Sequence, residues 1–378
     1  MFCSPRNSNN KFTCFSNESL IKIAESYNKK YGNKGILINI PKKFTNNNRK
    51  ELWDNIQKAM QRFTKCSEDY CLLETDIVEN LNDTEINEKT FRPEKPLEWY
   101  KDKNMWLSTI DIAEVMEQYE DHSDFEFIGP VPIDFDYQVG FGQCIANELC
   151  KFNMEKYLSY GKKKIGVIFN LDPHYMNGSH WTAMYSDFNK GGIYYFDSYA
   201  IEPPNEVKDL MKRIADQGNR LIENGLIDIN KMDDEHTCYS SYTIIDSTHI
   251  KLDNVRQFIT DTPVWFGNKI RNSSKVDKQT YNTIKSIDGN IVELVNPIST
   301  KKGSPLFIMK GFIGFSNYIR FQYKNSECGV YSMHFISQFL EGKTFKEIIN
   351  KVIDDDTINK KRDYFYRPNI EKKKKNYT

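Results

Sequence analysis

Three short apolar runs between Ile165 and Phe196 constrain the fold of this chain more than any other feature. Ile165 to Leu171 reads as a buried strand, His180-Trp181-Thr182-Ala183-Met184-Tyr185 as a second and Ile193-Tyr194-Tyr195-Phe196 as a third. The residues between the last two, Asp187-Phe188-Asn189-Lys190-Gly191-Gly192, are turn formers. They predict a hairpin in which Tyr185 faces Gly192 and His180 faces Asp197. Directly opposed residues share a face about 5 Å apart, close enough for a carboxylate to orient an imidazole. A helix follows, with Val207, Leu210, Met211 and Ile214 on one face.

The preceding segments read as helical and charged. Leu20, Ile21, Ile23, Ala24 and Tyr27 predict one helix, and Leu52, Trp53, Ile56, Met60 and Phe63 another, with Asn46-Asn47-Asn48 as a loop between them. A polar, proline-punctuated stretch from Asn80 to Pro96 reads as a linker. Ser108 or Thr109 is placed to cap a helix carrying Ile112, Val115, Met116 and Tyr119, and Cys144, Ile145, Leu149 and Phe152 suggest a further buried helix. Residues 226–310 mix strand-like runs (Tyr242 to Ile245, Ile291 to Val295) with turn signals such as Asp288-Gly289, and read as a β-rich insertion. Beyond it, Ile319-Arg320-Phe321 reads as a strand leading into Gln322. Val330, Met333, Ile336, Phe339 and Leu340 then trace a helix that opens at Cys328 and ends near Gly342. Thr344 and Glu347 fit a capping box for one more helix. The expected organisation is a helical N-terminal domain and linker over 1–96, a catalytic domain split between 97–225 and 311–368, the 226–310 insertion, and a basic tail over 369–378.

Composition narrows the function. The 378 residues carry 52 basic and 52 acidic side chains. Such a balance argues against a general nucleic-acid or membrane-surface protein. No stretch approaches 18 apolar residues, so none is expected to span a bilayer, and the first residues do not read as a secretory signal. Eight cysteines are too few for a disulfide scaffold, and the expectation is a reduced, intracellular protein.

The chemistry lies in four separated residues. Thiol catalysis needs a thiolate, a base, a group that orients the base, and donors for the oxyanion. Cys328 opens a helix, a position whose partial positive charge favours a thiolate. His180 is the candidate base and Asp197 its candidate orienter. Gln322, six residues before the cysteine, could supply its amide to the oxyanion beside the Cys328 N–H. The order His, Asp, Gln, Cys disfavours papain-like enzymes, in which the cysteine comes first.

Ser179-His180-Trp181-Thr182, Tyr195-Phe196-Asp197-Ser198 and Gln322-Tyr323-Lys324-Asn325-Ser326-Glu327-Cys328-Gly329-Val330-Tyr331 together resemble the SUMO/ubiquitin-like protease and adenain clan of cysteine peptidases. Trp106-Leu107-Ser108-Thr109-Ile110-Asp111-Ile112 resembles the segment with which that catalytic domain opens. Within the clan, the likeness is greatest to the virion-maturation thiol proteases of large DNA viruses of the mimivirus kind. The resemblance covers about 97–224 and 311–368, and it implies an α+β fold, the central mixed sheet packed by helices of an adenain/SUMO-protease-like peptidase, here with a helical N-terminal domain and a β-rich insertion. It implies His180 as general base, Asp197 as orienter, Gln322 as oxyanion donor and Cys328 as nucleophile. Trp106 and Trp181 would wall a narrow channel that admits Gly-Gly before the scissile bond. It further implies no metal or organic cofactor, protein substrates, and a location in the virion or the host cytoplasm, in viral factories. The stretch between Asp197 and Gln322 is much longer than is usual in the family, so substrate recognition there does not transfer.

Each residue also has a plainer reading. His180 could end a strand structurally, Cys328 could be a small buried hydrophobe, Asp197 a turn acid, and both tryptophans packing residues. His236, Cys238 and His249 lack a fourth ligand for zinc, and Cys66 with Cys71 match no zinc pattern either. Gly140-Phe141-Gly142 is no phosphate loop, since no Gly-Lys-Ser/Thr follows. The Lys372–Lys375 run reads as a solvated tail with at most weak nucleic-acid contact, and no membrane partner is expected. The leading expectation is a cysteine endopeptidase cleaving viral precursor proteins at Gly-Gly-X-type sites. The alternatives are a deconjugase removing ubiquitin-like modifiers from host proteins, an acyltransferase of similar layout, and an inactive scaffold.

Overall fold

The computed structural model describes residues 1–33, 37–64, 67–228, 240–252, 263–268, 280–298 and 307–370. The chain forms two compact units, residues 1–122 with 359–378, and residues 123–358.

The first unit is helical. Helices α1 (Asn17–Tyr31) and α2 (Asn46–Met60) bury Leu20, Ile23, Ala24 and Tyr27 on one side and Leu52, Trp53, Ile56 and Met60 on the other, in one core with Phe15, Tyr70 and Ile77. The Asn46–Asn48 run expected as a loop is instead the first turn of α2. The Thr45 hydroxyl accepts from the Asn48 N–H while the Asn48 side chain accepts from the Thr45 N–H. That reciprocal cap satisfies donors that would otherwise be orphaned, and it outweighs the weak helix propensity of asparagine. Helix α3 (Thr109–Met116) is capped by Ser108 and Asp111 in the same way.

The division differs from the sequence expectation, which assigned 97–122 and 359–368 to the catalytic domain. Long-range contacts hold these segments to each other. Trp99 meets Tyr366 edge-on at 4.8 Å, the Tyr366 hydroxyl donates to the Asp111 carbonyl at 2.8 Å, and Arg362 donates to the Met105 carbonyl at 2.8 Å. Gln118 reaches back to the Phe91 carbonyl at 2.8 Å. None of these bonds leaves a periodic trace in sequence.

The second unit is built on a five-stranded mixed sheet. Its strands are β1 (Phe125–Pro132), β2 (Lys164–Asn170), β3 (Trp181–Asp187), β4 (Gly192–Phe196) and, after an excursion, β11 (Ile313–Ser316), in the spatial order β1-β2-β3-β4-β11. The outer pairs are parallel and the central ones antiparallel. Every residue of β3 and β4 is buried because helices cover both faces. On one face α4 (Asn205–Glu223) places Val207, Leu210, Met211 and Ile214 against Met184, Ile193 and Tyr195. On the other, α5 (Cys328–Leu340) stacks Phe339 on Tyr185 and Tyr194, at 4.3 and 4.9 Å, and Phe335 on Phe196 at 4.9 Å. Such pairs add about 0.5–1.5 kcal/mol each beyond area burial. Helix α6 (Phe345–Asn350) follows, capped by Thr344 and Glu347.

Two local expectations are corrected. The β3–β4 hairpin pairs Asp187 with Gly192 and Tyr185 with Tyr194, two residues out of the expected register. The Asp187 carboxylate accepts from the Asn189 N–H and its carbonyl from Lys190 and Gly191, so the loop is 188–191 rather than 187–192. The strand expected at Ile319–Phe321 is instead Ile313–Ser316, because α4 serves as the crossover that returns the chain parallel to β4. Cys144 ends a short ladder rather than entering a helix, which covers only Asn147–Cys150.

Between α4 and β11 the chain makes a separate six-stranded closed barrel. Its strands are β5 (Ser240–Ile244), β6 (His249–Leu252), β7 (Pro263–Asn268), β8 (Thr280–Asp288), β9 (Ile291–Leu294) and β10 (Phe307–Lys310), in the order β8-β9-β6-β5-β10-β7. Ile244, Ile250, Leu252, Ile284, Val292 and Leu294 are buried in it. The exit is clamped to α4. Asn219 accepts from the Phe312 N–H at 3.0 Å and donates to its carbonyl at 3.4 Å, and Gly218 lies so close to the Phe312 ring that a Cβ there would sit 2.4 Å from it.

The expectation of reduced cysteines is also corrected. Cys3 bonds Cys14 and Cys144 bonds Cys150, and Cys71 is disulfide-bonded as well. The first two pairs are 11 and 6 residues apart, so chain proximity rather than cysteine density brings them together. No helix among the described residues is long and apolar enough to cross a membrane. Cys66, His236, Cys238 and the Lys372–Lys375 tail lie outside the described residues.

Candidate active site

Four chain segments of the second unit converge at the end of β3 and β4. His180 immediately precedes β3, and its side chain is 12% exposed. Asp197 immediately follows β4 and is fully buried. The hairpin register pairs Ala183 with Phe196, so the two are not opposed in the ladder, yet His180 Nε2 lies 2.8 Å from Asp197 Oδ1. The Cys328 thiol is near enough to the imidazole to act with Asp197 in raising its pKa. With Nε2 engaged by the carboxylate, Nδ1 is the ring atom left for the thiol.

Cys328 is the first residue of α5, buried, and the free cysteine among the described residues. Unlike α2, α3 and α6, α5 has no side-chain cap, so no cap side chain takes up its leading N–H groups. Burial opposes a charge on His180, but the interactions with Asp197 and Cys328 more than reverse it and raise the imidazole to about 9. A histidine so placed keeps its proton at neutral pH.

Gln322 is fully buried and held at both ends. Its Oε1 accepts from the Ser198 hydroxyl at 2.6 Å, and its Nε2 donates to the Lys324 carbonyl at 2.5 Å. An amide nitrogen has two hydrogens, so one bond to Lys324 leaves the second for another acceptor. Trp181 is buried next to His180 in the chain. Trp106 lies in the first unit, where it is 45% exposed.

Sequence reasoning missed three supports. Asn317, just after β11, accepts from the Asp197 N–H at 2.9 Å and donates to the Asp197 carbonyl at 2.7 Å. Ser198 positions Gln322, and its adjacency to Asp197 was the available signal. Asp355 accepts from the successive N–H groups of Tyr323 and Lys324 at 2.9 and 3.1 Å, fixing the loop between Gln322 and Cys328. No local pattern announced Asn317 or Asp355. Among the described residues no cluster of metal-ligating side chains is present.

A buried helix led by a free cysteine, set against a mixed sheet, is the frame of a cysteine protease, and that is the class of this protein. No protein-family model matches the chain. The sequence is 32% identical over 234 residues to "Putative thiol protease R355" of Acanthamoeba polyphaga mimivirus, covering 57% of this chain and 71% of that protein. The chain belongs to that family of viral thiol proteases. The crystal structure of the ASFV pS273R protease has the same fold, with a TM-score of 0.51 and 16% identity over 98% of this chain and 96% of that one. The SUMO protease Ulp1 overlaps 32% of this chain and 51% of its own at 18% identity, with a TM-score of 0.21, too low to add to the assignment.

Proposed function

We propose that this thiol protease is an endopeptidase that cleaves viral precursor proteins at Gly-Gly-X-type sites, with Cys328 as nucleophile and His180 as its base. The observation that carries the reading is the His180 imidazole bonded to the buried Asp197 carboxylate at 2.8 Å, with the buried free thiol of Cys328 at the start of α5 near enough to raise its pKa. The thiolate attacks the scissile carbonyl. The oxyanion so formed is held by the Cys328 N–H and the Gln322 amide, each such donor being worth about 2.7–4 kcal/mol. The imidazolium, oriented by Asp197, protonates the departing amine. The neutral imidazole then takes a proton from the water that hydrolyses the thioester. A buried tryptophan beside the base suits a channel too narrow for side chains before the scissile bond, which is the physical case for glycine there. The viral family supports precursor proteins as substrates.

Two electrophilic probes test this: a short Gly-Gly-X peptide and a full ubiquitin-like protein with the same warhead, each applied to wild type and Cys328→Ala. The expected result is labelling of wild type by the short peptide, abolished in Cys328→Ala. Labelling by the full modifier alone would replace the endopeptidase with a deconjugase. No labelling of folded protein by either probe would overturn the assignment of Cys328.

A further inference from the structure

A polar recess of about 400 Å³ in the first unit has no part in the chemistry above. The first turns of α1 and α2 line it, through Asn17 and Glu18 on one and Asn46 and Arg49 on the other, with Lys11 and Ser16 beside them. The loop before α1 is held in place. The Cys3–Cys14 disulfide closes it, Asn10 donates to Asn7 Oδ1 at 3.2 Å and to the Cys14 carbonyl at 3.1 Å, and Asp69 accepts from the Cys14 N–H at 2.9 Å.

Two polar atoms of this lining are unsatisfied. Arg49 is only 8% exposed. Its Nη2 donates to the Phe15 carbonyl at 2.6 Å, but its Nη1 is buried and has no hydrogen-bond partner among the described residues. Asn17 Oδ1 is buried and likewise without a partner among them. Burial works against the Arg49 charge more strongly than the Glu18 carboxylate supports it. A buried cation with an unmade hydrogen bond is unfavourable unless an anion completes it. The starts of two helices add positive character at the same place. Ser16 accepts from the Ser19 N–H and Thr45 from that of Asn48, so neither cap side chain takes up the N–H groups of Asn17, Glu18 or Asn46.

We infer that this recess binds a phosphate group, with Arg49 and Lys11 holding its charged oxygens and Asn17 Oδ1 accepting from a hydroxyl of the same ligand. Two cations, Arg49 and Lys11, against one carboxylate, Glu18, leave a single positive charge in the lining. That suits one phosphate rather than the continuous phosphate track of a nucleic acid. Inorganic phosphate carries the required hydroxyl itself at neutral pH, a sugar phosphate carries it on its carbon skeleton, and sulfate has none.

The test is isothermal titration calorimetry on the full chain in a neutral, phosphate-free buffer of constant ionic strength. The ligands are inorganic phosphate, ribose 5-phosphate, sulfate and ribose. Both phosphates are expected to bind wild type, roughly 10-fold or more tighter than sulfate, with no binding of ribose. Asn17→Asp keeps the first turn of α1, where an acid is favourable, but sets a carboxylate against the ligand. Arg49→Leu removes the buried donor. Each is expected to weaken phosphate binding roughly 10-fold or more. Should Arg49→Leu not fold for want of its bond to Phe15, Asn17→Asp and Lys11→Ala carry the comparison. Tighter binding of ribose 5-phosphate than of inorganic phosphate identifies the occupant as a phosphomonoester, and equal binding identifies it as inorganic phosphate; either supports the inference. It is overturned if neither phosphate binds, if sulfate binds as tightly as phosphate, or if folded Asn17→Asp or Arg49→Leu keeps full phosphate affinity.

Discussion

Asn317 and Asp197 hold each other in a reciprocal pair, side chain to backbone: the Asp197 N–H donates to Asn317 Oδ1 at 2.9 Å, and Asn317 Nδ2 donates to the Asp197 carbonyl at 2.7 Å. The carboxylate is thereby fixed by a residue 120 positions away. The same amide also donates to the Ile319 carbonyl at 3.2 Å, tying β11 to the segment that leads to Gln322.

Asn317→Ala should therefore cost both stability and rate. Stranding a buried N–H and a buried carbonyl should destabilise the second unit by about 2–4 kcal/mol, read by urea unfolding. At a temperature where the variant stays folded, kcat should fall roughly 10-fold or more as the carboxylate loses its fixed position. Wild-type kcat in a folded Asn317→Ala would show that Asp197 keeps its place without the clamp.

The pH dependence follows from His180. Its folded value, about 9, lies above the ordinary 6.5. The protonated ring is thus favoured by folding, and the stabilisation is fully present below about pH 6.5 and lost as pH rises through about 9. The stability gap between wild type and His180→Gln should close over that window in unfolding titrations at pH 6, 7.5 and 9.5. Activity should fall on the alkaline side near pH 9, as the imidazolium loses the proton destined for the leaving amine. Asp197→Asn, which keeps an acceptor but removes the charge, should move that limb to lower pH. A gap that widens with pH would contradict the sign.

Gln322 offers a graded test. Gln322→Ala should lower kcat by about 10²–10³ with KM little changed, since a lost oxyanion donor acts in the transition state. Ser198→Ala leaves the amide but frees the end held at 2.6 Å, and should cost roughly 10-fold. Equal losses in the two variants would mean that Gln322 serves only to hold the loop.

Asp355 tests that loop from its far side. Its carboxylate accepts from two successive backbone N–H groups, and the Tyr331 hydroxyl lies 3.5 Å from its other oxygen. Asp355→Ala should loosen residues 323–327, make Cys328 more accessible to a bulky alkylating reagent, and reduce kcat roughly 10-fold. Unchanged alkylation and rate would assign the loop's shape to other contacts.

The sequence alone determined the elements whose signal is local. The apolar runs gave three sheet strands, the 3.6-residue spacing of Val207 to Ile214 and of Val330 to Leu340 gave the two covering helices, and Thr344 with Glu347 gave a cap. It also singled out His180, Asp197, Gln322 and Cys328 as candidates, because thiol chemistry needs few residue types; His180 and Asp197 flank strands and Cys328 starts a helix. What the tertiary structure decided is non-local. Hairpin register depended on an Asp187 turn, and the edge strand on where α4 returned the chain. The unit boundary depended on Trp99 meeting Tyr366, and the supports of the site on Asn317 and Asp355 arriving from distant segments. Periodicity records which face of an element is buried. It carries no record of which distant backbone N–H or carbonyl an asparagine or aspartate will satisfy once the chain has closed, and that demand can be met only in three dimensions.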